Sequence, residues 1–141
     1  VGEAMLNDPR LPLISFTGST QVGRHVSSVV AGRFGRTILE LGGNNAAIVA
    51  PSANLALTIR AMTFAAAGTA GQRCTTTRRL IIHDSIYDAV KTKLIHAYKQ
   101  LRIGDPLDPS NHVGPLIDKA AVAQYLDAIK KCKQEGGTFL A

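Results

Sequence analysis

Apolar positions along this chain alternate between two spacings. Residues 11–16 form a short apolar run that ends in Thr17-Gly18-Ser19-Thr20, which reads as a strand followed by a turn. Ser19 or Thr20 can cap a helix that carries Val22, Val26, Val29 and Val30 at helical spacing, and the glycines at 32 and 35 end it. A second strand is predicted over 37–41, closed by Gly42-Gly43, and a third over 46–50. Asn54 can cap a helix that runs from Leu55 to about Gly68, and a loop follows over 71–75. The run Leu80-Ile81-Ile82 marks a fourth strand over 79–83. Asp84 or Ser85 then caps a helix with Ile86, Val90, Leu94, Ala97 and Leu101 on one face. A turn-rich connection occupies 104–115, Asp118 caps a last helix through Val122, Leu126 and Ile129, and a further strand begins over 138–140.

Strands that alternate with helices predict an α/β fold with a mostly parallel sheet. The chain lacks an initiator Met and ends inside a starting strand, so it is expected to be an internal piece of a longer protein.

Composition narrows the function classes. The chain has 141 residues, 45% apolar and 18% charged, which is a globular balance and not a disordered one. Its net charge is +6, but the cations are scattered singly and in pairs. With no Trp, no dense basic run and no known module, no nucleic-acid partner is expected. The nearly apolar stretch 61–71 is too short, and too rich in Thr, Ala and Gly, to span a membrane. Two cysteines, Cys74 and Cys132, with no signal peptide suggest a reducing compartment. His25, His83, His96 and His112 show no metal-ligand spacing, so no metal is expected.

Three stretches carry candidate chemistry. Gly18-Ser19-Thr20-Gln21-Val22-Gly23 lies between a strand and a helix, where free backbone N–H groups and the helix dipole favour an anion. It is G-x-T-x-x-G and not the dinucleotide fingerprint G-x-G-x-x-G, and Ser19 could bond either a phosphate or its own backbone. Glu40 closes an apolar strand between Leu39 and Leu41. If those leucines enter the core, Glu40 faces a crevice beyond the strand's carboxyl end and suits general-base work. The alternative is an edge-strand glutamate in water. Cys74 lies in Gly71-Gln72-Arg73-Cys74-Thr75-Thr76, with Gly71 to free the backbone and Arg73, Arg78 and Arg79 nearby. An electropositive loop suits a nucleophilic thiol, whereas Cys132, on the last helix, is read as a thiol without a function.

Together these residues resemble the aldehyde dehydrogenase superfamily. Phe16-Thr17-Gly18-Ser19-Thr20, Leu39-Glu40-Leu41-Gly42-Gly43 and Gly71-Gln72-Arg73-Cys74 are similar to three of its signatures, in its order, and Cys74 follows Glu40 by 34 residues (74 − 40), as in that family. Gly104-Asp105-Pro106 and Gly114-Pro115-Leu116 also match family turns. Leu41-Gly42-Gly43-Asn44-Asn45, with 69–76, is similar to the antiquitin branch, whose members oxidise α-aminoadipic semialdehyde in lysine breakdown.

The resemblance implies that residues 1–41 end a Rossmann-type NAD-binding domain and that 42–141 begin an α/β catalytic domain. It implies Cys74 as the nucleophile and Glu40 as the base that hydrolyses the thioester. Gly18, Ser19, Val22, Gly23 and Leu41 would meet the cofactor, which is NAD. Arg73 and Thr75 would line the pocket of a small, anionic aldehyde. It also implies a homotetrameric parent in the cytoplasm or the mitochondrial matrix. A whole member is several times longer, so this chain alone is expected to be inactive. A non-catalytic cofactor-binding or interaction remnant of the family is the alternative.

Overall fold

Two pairs of parallel strands, each joined through a helix, organise the chain, and the computed structural model describes all of residues 1–141. The pairs belong to two units, Val1–Gly43 and Asn44–Ala141.

The first unit comprises α1 (Gly2–Asn7), β1 (Leu13–Thr17), α2 (Thr20–Gly32) and β2 (Arg36–Glu40). β1 and β2 pair in parallel, with Leu13 opposite Arg36 and Thr17 opposite Glu40. Parallel neighbours cannot be joined by a tight hairpin, and α2 is the crossover that closes the unit. Ser19 starts α2, its hydroxyl accepting the Val22 N–H at 3.2 Å. Val26 and Val30, four residues apart on one helical face, pack with Leu6 and Ile14 into a core bordered by Leu11, Phe16, Val29 and Leu39. Val22 lies a turn nearer the N-terminus and stays 47% exposed.

Helix α1 has no counterpart in the sequence pattern. It is only six residues long, too short to show a period, and buries only Leu6. Side chains from α2 and just beyond it hold it. The Arg33 guanidinium donates to the Leu6 and Leu11 carbonyls, each at 2.7 Å, and His25 Nε2 lies 2.8 Å from Glu3 Oε1. The glycines at 32 and 35 do flank the end of α2, but the left-handed residue there is Phe34, at φ 59° and fully exposed.

The second unit comprises β3 (Asn45–Val49), α3 (Leu55–Ala67), a 3-10 turn (Gly68–Gly71), β4 (Thr77–Ile82), α4 (Tyr87–Lys99) and α5 (Lys119–Gln134). β3 and β4 are again parallel and joined by a helix. Their register slips at the start: Asn45 faces Thr77 but Ala46 faces Arg79, which leaves Arg78 as an extra residue in β4. Val49 and Val90 are the buried centre of this unit. Asn54 caps α3 by accepting the Leu57 N–H at 3.1 Å, and Asp118 caps α5 by accepting that of Ala121 at 2.7 Å. Asn54→Ala should therefore cost about 1 kcal/mol of stability. A lower urea midpoint with an unchanged slope would show it, and an unchanged midpoint would contradict the cap's role.

Two expectations need correction. Residues 84 and 85 do not cap the fourth helix directly. They lie in a 3-10 turn (Asp84–Ile86), where His83 Nδ1 accepts the Ser85 N–H at 3.2 Å, and α4 begins at Tyr87 with no side-chain cap. The strand expected over 138–140 does not form. A strand exists only by hydrogen-bonding to a neighbour, and those residues have none in this chain.

Candidate active site

Cys74 stands in a tight turn between α3 and β4. The Thr76 N–H donates to the Arg73 carbonyl at 3.1 Å, which closes a β-turn with Cys74 and Thr75 at its two central positions. Thr76 adds a second clamp, its hydroxyl accepting the Arg73 N–H at 3.1 Å. Thr76 is 4% exposed and is the chain's buried polar residue, while Cys74 and Thr75 at the crest are exposed. A β-turn's own bond uses the N–H of its fourth residue, so it leaves the Cys74 N–H unspent. The sulfur is a free thiol, and so is that of Cys132, which is exposed near the end of α5.

The approach to this turn is strained. Thr69, Ala70 and Gly71 occupy left-handed φ values of 54°, 53° and 71° in succession. Gly71 was expected to supply this freedom, but Thr69 and Ala70 adopt it without being glycine, at a cost on the order of 1–2 kcal/mol each. Gln72 holds the geometry. Its backbone and side-chain N–H groups both donate to the Thr69 carbonyl at 3.1 Å, and its Oε1 accepts the Ile117 N–H at 2.9 Å.

Two arginines border the turn. The Arg73 guanidinium lies on the Phe64 ring, 4.6 Å from its centroid, and donates one N–H to the Phe64 carbonyl at 3.0 Å. Its Nε is buried without a partner. Arg78 reaches the Arg73 and Thr76 carbonyls at 3.4 Å, which puts a second cation beside the turn. Arg79 instead turns to the Asn44 carbonyl, at 2.7 Å.

In the first unit the glycine turn and the Glu40 strand end meet. The Gly18 N–H donates to the Glu40 carbonyl at 3.0 Å, which joins the turn's backbone to that of the candidate base. The Glu40 side chain is exposed, while Leu39 borders the core and Leu41 is half-buried. Within this unit, then, nothing buries Glu40. Leu41 packs so closely on α2 that a Cβ at Gly23 would lie 2.9 Å from its Cδ1, so a larger residue there would displace the Leu41 side chain.

The start of α2 fits a dinucleotide's phosphates. The first intrahelical bond runs from the Gly23 N–H to the Ser19 carbonyl at 2.8 Å, so the N–H groups of Thr20 and Gln21 precede the ladder. Ser19 accepts a capping bond but keeps its hydroxyl proton to donate. Ser19, Thr20, Gln21 and Val22 are exposed, whereas Gly23 is buried. No group of three His, Cys, Asp or Glu side chains is arranged to hold a metal, and no helix is long and apolar enough to cross a membrane.

Of the predicted site residues, Arg73, Cys74 and Thr75 lie together in one turn. Gly18, Ser19, Val22, Gly23, Glu40 and Leu41 all lie in the first unit. Sequence reasoning missed Thr76, Gln72 and Asn45, whose side chains hold the cysteine turn. Their work is local hydrogen bonding between segments that contact only in three dimensions, and no spacing announces it.

The chain is similar to known proteins along its whole length. The sequence model of the Aldehyde dehydrogenase family matches residues 1–141. Alpha-aminoadipic semialdehyde dehydrogenase from Bos taurus is 54% identical over 140 residues, covering 99% of this chain and 26% of that protein. The protein of the same name from Rattus norvegicus is 53% identical over 140 residues, with the same coverage. Betaine aldehyde dehydrogenase from Staphylococcus aureus, solved in complex with NAD+, superposes with a TM-score of 0.93 at 28% identity, over 100% of this chain and 28% of that one. The chain thus spans about a quarter of the length of the curated relatives it matches.

Proposed function

Because this chain belongs to the aldehyde dehydrogenase family, a family of aldehyde-oxidising enzymes, we propose that it supplies the nucleophile and the hydrolytic base of an NAD-dependent semialdehyde dehydrogenase. The observation that carries this is the free thiol of Cys74, exposed on a hydrogen-bonded turn between two arginines. Residues 1–41 form the end of the cofactor domain, and 42–141 the first part of the catalytic domain, of a longer, homotetrameric enzyme.

The exposed Cys74 thiol gives its proton to solvent and its sulfur attacks the aldehyde carbon, and as the carbonyl π bond opens the oxygen becomes the oxyanion of a thiohemiacetal. The Cys74 backbone N–H, which the turn leaves unspent, donates to that oxygen where its charge develops. Bound NAD would supply the hydride acceptor. Gly18 and Ser19, with the N–H groups of Thr20 and Gln21, would hold its phosphates, Val22 would line its adenine side, and Gly23 and Leu41 would shape the approach to its nicotinamide end. Loss of hydride leaves a thioester on Cys74. Glu40 takes a proton from water, which attacks the thioester and releases the carboxylic acid, and the thiol is restored.

The aldehyde we propose carries a distal negative charge, as α-aminoadipic semialdehyde does. Arg73 supports this choice: it is adjacent to the nucleophile, fixed on Phe64, and uses one of its five N–H donors on the Phe64 carbonyl. Thr75, exposed beside Cys74, lines the same pocket. A panel of aldehydes with and without a distal carboxylate, given to the full-length protein, tests the proposal. We expect kcat/KM to favour the carboxylate-bearing members by about tenfold or more, the worth of one charge-assisted bond. No cofactor reduction with any aldehyde would refute the function, and equal use of all of them would refute the role of Arg73.

A further inference from the structure

Asn45 ends the stretch 41–45 that resembles the antiquitin branch, but the sequence assigns it no role: it lies two residues beyond the double glycine and just before the apolar run of β3. The structure places it at the first position of β3, opposite Thr77. Asn45, Ala47 and Val49 share the more buried face of that strand, a face where alternation calls for an apolar residue. A polar side chain at such a position needs its hydrogen bonds made. Asn45 makes them across 29 and 31 residues of sequence: its Nδ2 donates to the Cys74 carbonyl and, at 3.1 Å, to the Thr76 carbonyl. A carboxamide has two N–H bonds on one nitrogen, and both are spent here on the same turn.

We propose that Asn45 is a positioning residue for the nucleophile, setting the orientation of the Cys74 peptide so that the sulfur and the Cys74 N–H reach the aldehyde together. The inference rests on the assignment of Cys74 as nucleophile. The turn closes itself through Arg73 and Thr76, and its stem is tied to Ile117 through Gln72 and to Phe64 through Arg73, but none of these bonds holds the Cys74 peptide itself. The Asn45 amide ties the Cys74 carbonyl itself to the sheet. The extra residue at Arg78 keeps Asn45 in range: past it the pairing advances by one residue, while Asn45 stays level with Thr77, next to the turn. The strain over 69–71 makes the tether necessary, because a strained stem relaxes when its anchor is removed.

Asn45→Asp keeps the shape and removes both donors, setting a carboxylate against two carbonyl oxygens. Asn45→Ser keeps one short donor and adds no charge. Both are to be made in the full-length protein and compared with wild type by thermal melting, aldehyde KM and the rate of the first turnover after mixing with NAD and aldehyde. We expect Asn45→Asp to melt near wild type, keep its KM within about twofold, and slow the first turnover by about a hundredfold, the penalty typical of misplacing a reacting group by an ångström. Asn45→Ser should fall between the two. If the Asp variant does not fold, the Ser variant decides, and slowing by about tenfold at unchanged KM supports the inference. A first turnover at the wild-type rate in a folded variant overturns it. So does failure of both variants to fold, which would make the amide a structural link only. If wild type itself shows no aldehyde-dependent first turnover, the assignment of Cys74 fails first, and that result is separable from any effect at Asn45.

Discussion

Cys74→Ala in the full-length protein is expected to abolish aldehyde oxidation, with kcat falling on the order of 10⁴-fold or more. No other group in the proposed chemistry can form the carbon–sulfur bond on which hydride loss depends. The substitution is mild in every other respect. The side chain is exposed, the turn is held by the Arg73 and Thr76 backbones and the Thr76 hydroxyl, and alanine accepts the same backbone geometry. Folding and NAD binding should therefore persist, the latter read by fluorescence titration. Residual activity within about tenfold of wild type would mean that another residue attacks the aldehyde. Cys132 is not a candidate for rescue, since it lies on exposed α5 with no turn to present it.

Glu40→Gln has a different kinetic signature. Glutamine matches glutamate in size but cannot take a proton from water, so only the hydrolytic half of the reaction should suffer. Steady turnover should drop by about 10²- to 10⁴-fold, the usual worth of a general base. The first turnover should stay near its wild-type rate and produce about one reduced cofactor per site. Cys74→Ala, by contrast, gives no burst. The bond that ties Glu40 to the glycine turn uses its backbone carbonyl, so the substitution leaves that link intact. Normal steady turnover in Glu40→Gln would show that some other group activates the water.

The alternation of strand and helix was legible because both joined strand pairs follow simple rules. The apolar runs at 11–16 and 79–83 became β1 and β4 within a few residues, and Ser19, Asn54 and Asp118 each cap the helix assigned to them. A cap is a local event between residues three apart, so the sequence displays it directly. The features that escaped are non-local. Helix α1 depends on Arg33 and His25, which are distant in sequence. Thr69 and Ala70 are ordinary residues forced into left-handed geometry by their surroundings, and the sequence marks only Gly71 as permissive. The apolar run that marks β3 starts at Ala46, one residue past Asn45, so the pattern hides the place of Asn45 on the more buried face. The motif residues themselves were plain in the sequence. The contacts that fix Cys74 were not, because two hydrogen bonds from one side chain of β3 to a turn leave no periodicity behind.

The account stands on a covalent bond between Cys74 and the substrate's carbonyl carbon. Mass spectrometry of full-length Glu40→Gln, quenched in acid after one turnover with aldehyde and NAD, looks for that bond directly. Trypsin cuts after Arg73 and Arg78, so the cysteine falls in the short peptide 74–78. The expected result is that this peptide carries the mass of the acyl group, and that the label disappears when NAD is withheld or Cys74 is alanine. An unmodified 74–78 peptide after a confirmed turnover, or the acyl group on Cys132 instead, would contradict it.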